Sequence, residues 1–296
     1  MSIQSEITRI SGNVSGALAA ISNKGVTVPS GSNSDDLATL IAQISGTGGV
    51  TQDQDGFLVL DDSGSGGGSV DIVTTVYGSV PFDYSSTTIT SLEGSHVFSG
   101  WSMRNVSLPN LTTYAVYDAT SSSSPPNYMF AYCQYLRSVY MPLLRTGAQT
   151  QNGWYNCPGN MFYNCTALTY ADSDSIGGLN TGINVSVFNG CTALETCDFR
   201  TIGNIANYAW RYCSSFNKLI LRNNSVTNLG NINAFEDSPF ASDGTGGTLY
   251  VPSAVVSSYQ SASNWSTILG YANNSIVAIE GSYYETHYGN GTLITT

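Results

Sequence analysis

The feature that most constrains this 296-residue chain is a short phrase that keeps returning. An aromatic residue is followed three positions later by Cys, and three positions later again by an apolar residue. It reads Phe130-Ala-Tyr-Cys133-Gln-Tyr-Leu136, then Phe162-Tyr-Asn-Cys165-Thr-Ala-Leu168, Phe188-Asn-Gly-Cys191-Thr-Ala-Leu194 and Trp210-Arg-Tyr-Cys213-Ser-Ser-Phe216. A degenerate copy is Phe235-Glu-Asp-Ser238. The aromatic anchors stand 32, 26, 22 and 25 residues apart. A unit this small cannot enclose a core and must bury its apolar face against copies of itself. A period of twenty-odd residues therefore predicts a solenoid, with the insertions carried on loops that leave the stacking faces intact.

Positions i and i+3 share a face of a helical turn, so the phrase predicts a one-turn helix or 3-10 segment with aromatic, Cys and Leu inward. The short alternating runs that follow, such as Leu136 to Leu143, Leu194 to Phe199 and Leu219 to Leu221, predict a strand. Turn or helix, then strand, once per repeat, gives an α+β repeat solenoid of leucine-rich-repeat-like plan. The phrase Met161-Phe-Tyr-Asn-Cys-Thr-Ala-Leu-Thr169 resembles the BspA-type leucine-rich repeats of bacterial and phage surface proteins. The stretch 248–269, a strand ending in Val251-Pro252, a helix from Ser253 and then Asn264-Trp265, resembles the segment that closes such arrays. At the other end Phe98-Ser-Gly-Trp101 forms an atypical opening copy, as a terminal repeat with one capped face should. The resemblance covers about 85–280 and implies a display surface. It does not imply one ligand, because such repeats are scaffolds on which different sites are built.

Charged residues make up only 10% of the chain, and the formal net charge is −11. The acidic balance argues against nucleic acid and anionic membrane surfaces as partners. No run approaches the roughly 18 apolar residues of a membrane span. The first residues lack the basic and apolar regions of a secretion signal, so the expectation is synthesis in a host cytoplasm and release by a route such as lysis. Four of the six cysteines recur at one repeat position, which predicts a column of free buried thiols rather than a disulfide framework or a zinc site. Cys157 and Cys197 lie off the pattern.

Before the solenoid, Ile3, Ile7, Ile10, Val14, Ala17 and Ile21 fall at the 4–3 spacing of a heptad seam in a helix over 2–22. Ile at both core positions favours a trimer, and the alternative is a helix packed on its own chain. Ser34, followed by Asp35 and Asp36, is the expected N-cap of a second helix with Leu37, Leu40, Ile41 and Ile44 on its apolar face. The stretch from Asn13-Val-Ser-Gly through Lys24-Gly-Val-Thr-Val-Pro29 to Asp35-Asp36-Leu37 resembles the N-terminal unit of tail or fibre proteins of tailed phages. That resemblance implies attachment or oligomerisation. Thr51 to Leu60 reads as a turn and a strand. Its Asp53, Asp55, Gly56 and Asp62 echo part of a calcium loop but lack the first Asp and the terminal Glu. Gly and Ser over 63–69 make a linker. The expected organisation is a helical attachment unit over 1–48, a turn-strand and linker over 49–69, the solenoid with its caps over 70–280 and a tail over 281–296.

No catalytic constellation emerges. His96 and His287 stand apart without a nucleophile beside them. Asp172-Ser-Asp174 reads as a turn, and no phosphate loop is present. The expectation is a protein without enzymatic activity or cofactor. Tyrosine is abundant, with 19 residues, and Tyr with Ser, Asn and Gly is the palette of adaptable binding loops. Trp154 and Tyr155 in an insertion, Tyr170, and Tyr283 and Tyr284 in the tail are the candidate ligand-binding residues. Taken with the resemblances, this predicts a virion protein, a tail fibre or baseplate component. It would contact other virion proteins through 1–48 and a host-surface glycan or protein through the solenoid. A structural decoration of the particle and a bacterial adhesin are the alternatives.

Overall fold

The computed structural model describes residues 14–19, 21–22, 27–37, 40, 50–52, 58–61, 81–93, 96–115, 128–144, 159–180 and 182–294. The chain divides into two compact units, 1–88 with 102–108, and 89–101 with 109–296.

In the first unit residues 14–19 and 21–22 are helical, and Ala17 and Ile21 are buried within the single chain. Ile21, one of the predicted seam residues, is thus covered within the single chain. Ile3, Ile7 and Ile10 lie outside the described residues. A 3-10 turn covers Ser34–Asp36. The Asp36 carboxylate accepts the Asn33 N–H at 2.9 Å, so the cap sits at Asn33, one residue before the expected Ser34. Strands β1 (Val50–Gln52) and β2 (Leu58–Asp61) pair antiparallel, and β2 lies parallel to β3 (Phe82–Ser85). Thr51 and Gln52, read as part of a turn, end strand β1, and the strand expected before Leu60 is its antiparallel partner β2. Residues 53–57 and 62, with the calcium-like aspartates, and the linker and strand expected over 63–80 lie outside the described residues. After β4 (Ser91–Glu93), which belongs to the second unit, β5 (Met103–Ser107) pairs with β3. Asp83 ties that pair together. It receives Arg104 Nε and Nη2 at 2.9 and 2.7 Å and the Asn105 backbone and side-chain N–H groups.

The second unit is a coil of turn, strand and second short strand. One sheet stacks β8 (Tyr170–Asp172), β10 (Thr196–Phe199), β12 (Lys218–Leu221), β14 (Thr248–Val251) and β15 (Ser275–Ala278), all parallel. Another stacks β9 (Gly182–Ile183), β11 (Asn204–Ile205) and β13 (Asn228–Leu229). Near the start β4 pairs with β6 (Thr113–Ala115), and β7 (Ser138–Tyr140) carries the strand of the first full copy. Parallel strands joined once per coil, with few helices, are the solenoid architecture. Pro252 introduces a 3-10 turn, then α1 (Val256–Ser261) and α2 (Trp265–Leu269), which close the array with Tyr259 and Trp265 buried.

The predicted helix in each phrase is absent from the four Cys-bearing copies, which fold as linked β-turns. In the first, Ala131 N–H donates to the Tyr128 carbonyl, Cys133 N–H to Phe130 and Leu136 N–H to Cys133. The reason is a left-handed residue two positions before and two positions after each anchor: Tyr128 and Tyr132, Asn160 and Asn164, Ser186 and Gly190, Tyr208 and Tyr212. A helix needs unbroken right-handed backbone, and these residues reverse it. Only the degenerate copy is 3-10, over Ile232–Phe235 with Asn231 capping it.

The i, i+3 logic survives the change of conformation. Phe130, Cys133, Leu136, Phe162, Cys165, Leu168, Phe188, Cys191, Leu194, Trp210, Cys213 and Phe216 are all buried. The anchor rings stack in one column. Phe98 to Phe130, Phe130 to Phe162, Phe162 to Phe188, Phe188 to Trp210 and Trp210 to Phe235 lie 5.3, 5.6, 5.5, 6.1 and 5.3 Å apart, with planes within 11°.

Candidate functional site

The turn segments hydrogen-bond from copy to copy, and this fixes what they present outward. Each anchor N–H donates to the next copy, as Phe130 does to the Met161 carbonyl at 2.9 Å and Phe162 to the Val187 carbonyl at 2.8 Å. The second left-handed residue of each copy does the same: Tyr132 to Tyr163, Asn164 to Asn189, Gly190 to Arg211 and Tyr212 to Glu236. The thiols add a third tie. Cys133, Cys165, Cys191 and Cys213 donate Sγ–H to the carbonyls of Phe98, Phe130, Phe162 and Phe188, at 2.9–3.0 Å. Cysteine here is a small side chain that fits a tight turn and also donates across the repeat boundary. Burial pushes the Cys133 thiol up to about 12 and raises the others too. These thiols stay protonated and are poor nucleophiles. Cys197, off the pattern, accepts the indole N–H of Trp210 at 3.4 Å.

With the anchor ring inward, the left-handed residues His96, Tyr132 and Tyr212 are exposed and Tyr128, Asn160, Asn164 and Tyr208 partly so, whereas Ser186 is buried. His96 stacks on Tyr128 at 4.7 Å, Tyr163 meets Tyr128 edge-on at 6.3 Å, and Tyr132 meets Tyr163 edge-on at 5.4 Å. Tyr132 is 47% exposed. Asn160 and Asn164 continue this ridge, and the Asn164 side chain lies against Gly190 of the next copy. Further along, Arg211 lies 5.0 Å from the ring centre of Tyr208 and 4.5 Å from that of Tyr212. Its Nη2 donates to Glu236 at 3.2 Å, so this second aromatic cluster is already filled by a cation.

The sequence-predicted ligand residues lie elsewhere. Trp154 and Tyr155 fall outside the described residues. Tyr170 is in β8, not in an insertion. Its neighbours across the sheet are Thr196, Lys218 and Thr248 in one row, with Asp172, Asp198, Ile220 and Tyr250 in the next. The tail, described to residue 294, folds back over this face. Tyr284 packs with Ile220, Ile279 and Tyr250, and its ring meets Tyr250 edge-on at 4.6 Å. Burial raises the Tyr284 phenol to about 12, with Tyr250 adding to the shift. Arg222 grips Asp198 through Nε and Nη2 at 2.7 and 2.8 Å. It also donates to the Tyr284 and His287 carbonyls at 2.8 and 3.0 Å. Gly289 N–H returns to Asp198 at 3.1 Å, and its Cα sits against Thr196 and Tyr170, where a side chain would collide. Tyr170 and Tyr284 are thus brought together with the tail, but by internal packing. Tyr283 remains exposed, stacked on His287 at 4.3 Å. The Asp172-Ser-Asp174 stretch is a turn, with Asp172 accepting the N–H groups of Asp174 and Ser175.

The outer ridge was missed at the sequence level. Its signal was present: ring-bearing residues recur two positions to either side of the anchors. Among the described residues no group of three or more His, Cys, Asp or Glu is placed to hold a metal ion, and no helix is long and apolar enough to cross a membrane.

Stacked parallel strands, inward rings and tight turns define a solenoid of the leucine-rich-repeat kind. Residues 126–242 match the family described as BspA type leucine rich repeat region, in six copies, so the chain carries that repeat domain. No curated protein and no solved structure matches the chain.

Proposed function

We propose that this is a non-enzymatic display protein whose solenoid binds a host-surface molecule through its outer turn edge. The observation that carries the reading is the ridge of His96, Tyr128, Tyr132 and Tyr163. These rings stand at or beside left-handed positions that Gly100, Asn164 and Gly190 fill in other copies. The backbone there asks for a small or amide side chain. Large rings there make a continuous aromatic surface from His96 to Tyr132.

The finer reading is a component of a phage virion, a tail fibre or baseplate protein, with residues 1–48 attaching it to other virion proteins and a trimer as its assembled form. It rests on the likeness of the N-terminal stretch to tail and fibre proteins. Immunogold labelling of purified particles and size-exclusion chromatography with light scattering test the two parts. Label on the particle tail and a trimeric mass support the reading. Absence from particles leaves a display protein without a virion, and label on the head makes it a decoration.

A further inference from the structure

The ridge has a chemical character that narrows its ligand. Four features bear on it. First, Tyr128 and Tyr132 sit at φ values of 66° and 63°, which is uncommon for a bulky residue. Left-handed backbone costs a residue with a Cβ about 1–2 kcal/mol, and such strain persists where something over-determines it. Second, the rings are contiguous, from His96 through Tyr128 and Tyr163 to Tyr132. Third, the large apolar side chains exposed on the turn segments 96–101, 128–136 and 160–168 are tyrosines, Tyr132 and Tyr135. Fourth, among the described residues of this unit from 96 to 168, Arg137 is the sole Lys, Arg, Asp or Glu. The same turn segments carry Ser99, Gln134, Asn160, Asn164 and Thr166.

Protein-interface centres combine tyrosine with arginine and a polar, charged rim, and the described turn segments 96–101, 128–136 and 160–168 carry no Lys, Arg, Asp or Glu. Aromatic faces bordered by amides and hydroxyls match a ligand with weakly polar C–H faces and many hydroxyls. The whole-chain charge of −11 disfavours a ligand that is itself anionic. We infer that the edge formed by His96, Tyr128, Tyr132 and Tyr163 is a binding site for a neutral glycan laid along the stacking axis. This rests on the display reading above and specifies its ligand. The Tyr208–Arg211–Tyr212 cluster is not part of the site, because Arg211 occupies its rings.

The test uses the full chain, with cellohexaose, chitohexaose and mannohexaose as neutral probes and polygalacturonate as the acidic one, read by calorimetry. The variants are Tyr132→Gly and Tyr128→Gly. Glycine suits left-handed backbone, so the melting temperature should hold or rise while affinity for a neutral glycan falls at least tenfold. Tyr212→Gly should leave affinity unchanged. Preference for polygalacturonate, or equal affinity in the Tyr132 and Tyr128 variants, overturns the proposal, as does the absence of binding to every neutral probe. The display reading is separated by whole-cell binding before and after periodate treatment. Cell binding that survives periodate yet is lost in Tyr132→Gly makes the ligand a protein. That result discards the glycan and keeps the display role.

Discussion

The Cys191 thiol donates to the carbonyl of Phe162, one copy upstream, at 3.0 Å. That carbonyl also accepts the N–H of Cys165 in its own copy, so one oxygen ties a turn to itself and to its neighbour. Ser238 shows what a hydroxyl does at the equivalent position: it turns to the Phe235 carbonyl of its own copy at 2.7 Å. Cys191→Ser should therefore fail to restore the tie between copies. Both Cys191→Ser and Cys191→Ala should lose about 1–2 kcal/mol, through the lost hydrogen bond and the space left by sulfur. Urea unfolding under reducing conditions measures this. Wild-type stability in the Ser variant would remove the thiol tie from the account.

The same thiols set a pH dependence. Burial raises their folded values above the ordinary 9.0, to about 12 for Cys133. In the unfolded chain they lose protons first. Stability from this source is complete below about pH 9 and is lost as pH rises through the folded values. The buried phenols of Tyr114, Tyr170 and Tyr284 are raised by burial and act in the same direction. Melting temperature in reductant should fall steadily from pH 8.5 to 11. Cys133→Ala should fall less steeply over that range than the wild type.

Gly190 is held at a φ of 78°, and a Cβ there would collide with the Asn164 side chain of the preceding copy. Gly190→Ala thus carries two penalties. The backbone part is about 1–2 kcal/mol. The collision adds to it and disappears when Asn164 is also made Ala. The double variant should be more stable than Gly190→Ala alone, with coupling of about 0.5–3 kcal/mol in a denaturation cycle. Simple additivity would mean that the two side chains do not compete for the same space.

These positions also show how far sequence can be read. Phe130, Cys133 and Leu136 were legible because a three-residue spacing puts side chains on one side whether the backbone is a helix or a pair of i→i+3 turns. The same degeneracy hid the turns, and with them the outer ridge. Tyr132 gives no left-handed signal, since tyrosine rarely adopts that conformation, whereas Asn164 and Gly190 at the same position do. The strand after each phrase was visible as alternation, and Tyr170 was misplaced because β8 is short and follows the phrase directly. The course of the tail was not legible because the contacts that hold it, from Arg222 and Asp198, lie more than sixty residues upstream of the groups they bind.

Those contacts give the last prediction. Asp198 is fully buried, and the Arg222 side chain is 13% exposed. The pair is supported from both sides: Arg222 also donates to the Tyr284 and His287 carbonyls, and Asp198 takes the Gly289 N–H. Removing one partner of a buried pair strands the other charge and costs about 3–5 kcal/mol. Here part of that cost is avoidable, because releasing the tail readmits water to Arg222. Asp198→Asn should therefore open the tail before it unfolds the coil. Hydrogen exchange should rise sharply over 283–294 and little in α1, α2 and the inner strand positions Leu219 and Leu249. Limited proteolysis should cut the variant within the tail and leave the repeat array intact. Arg222→Met removes the charge while keeping an apolar stem, and it should loosen the tail through the lost carbonyl contacts. Uniform exchange throughout the second unit in both variants would show that the pair supports the array itself rather than the cover over its sheet.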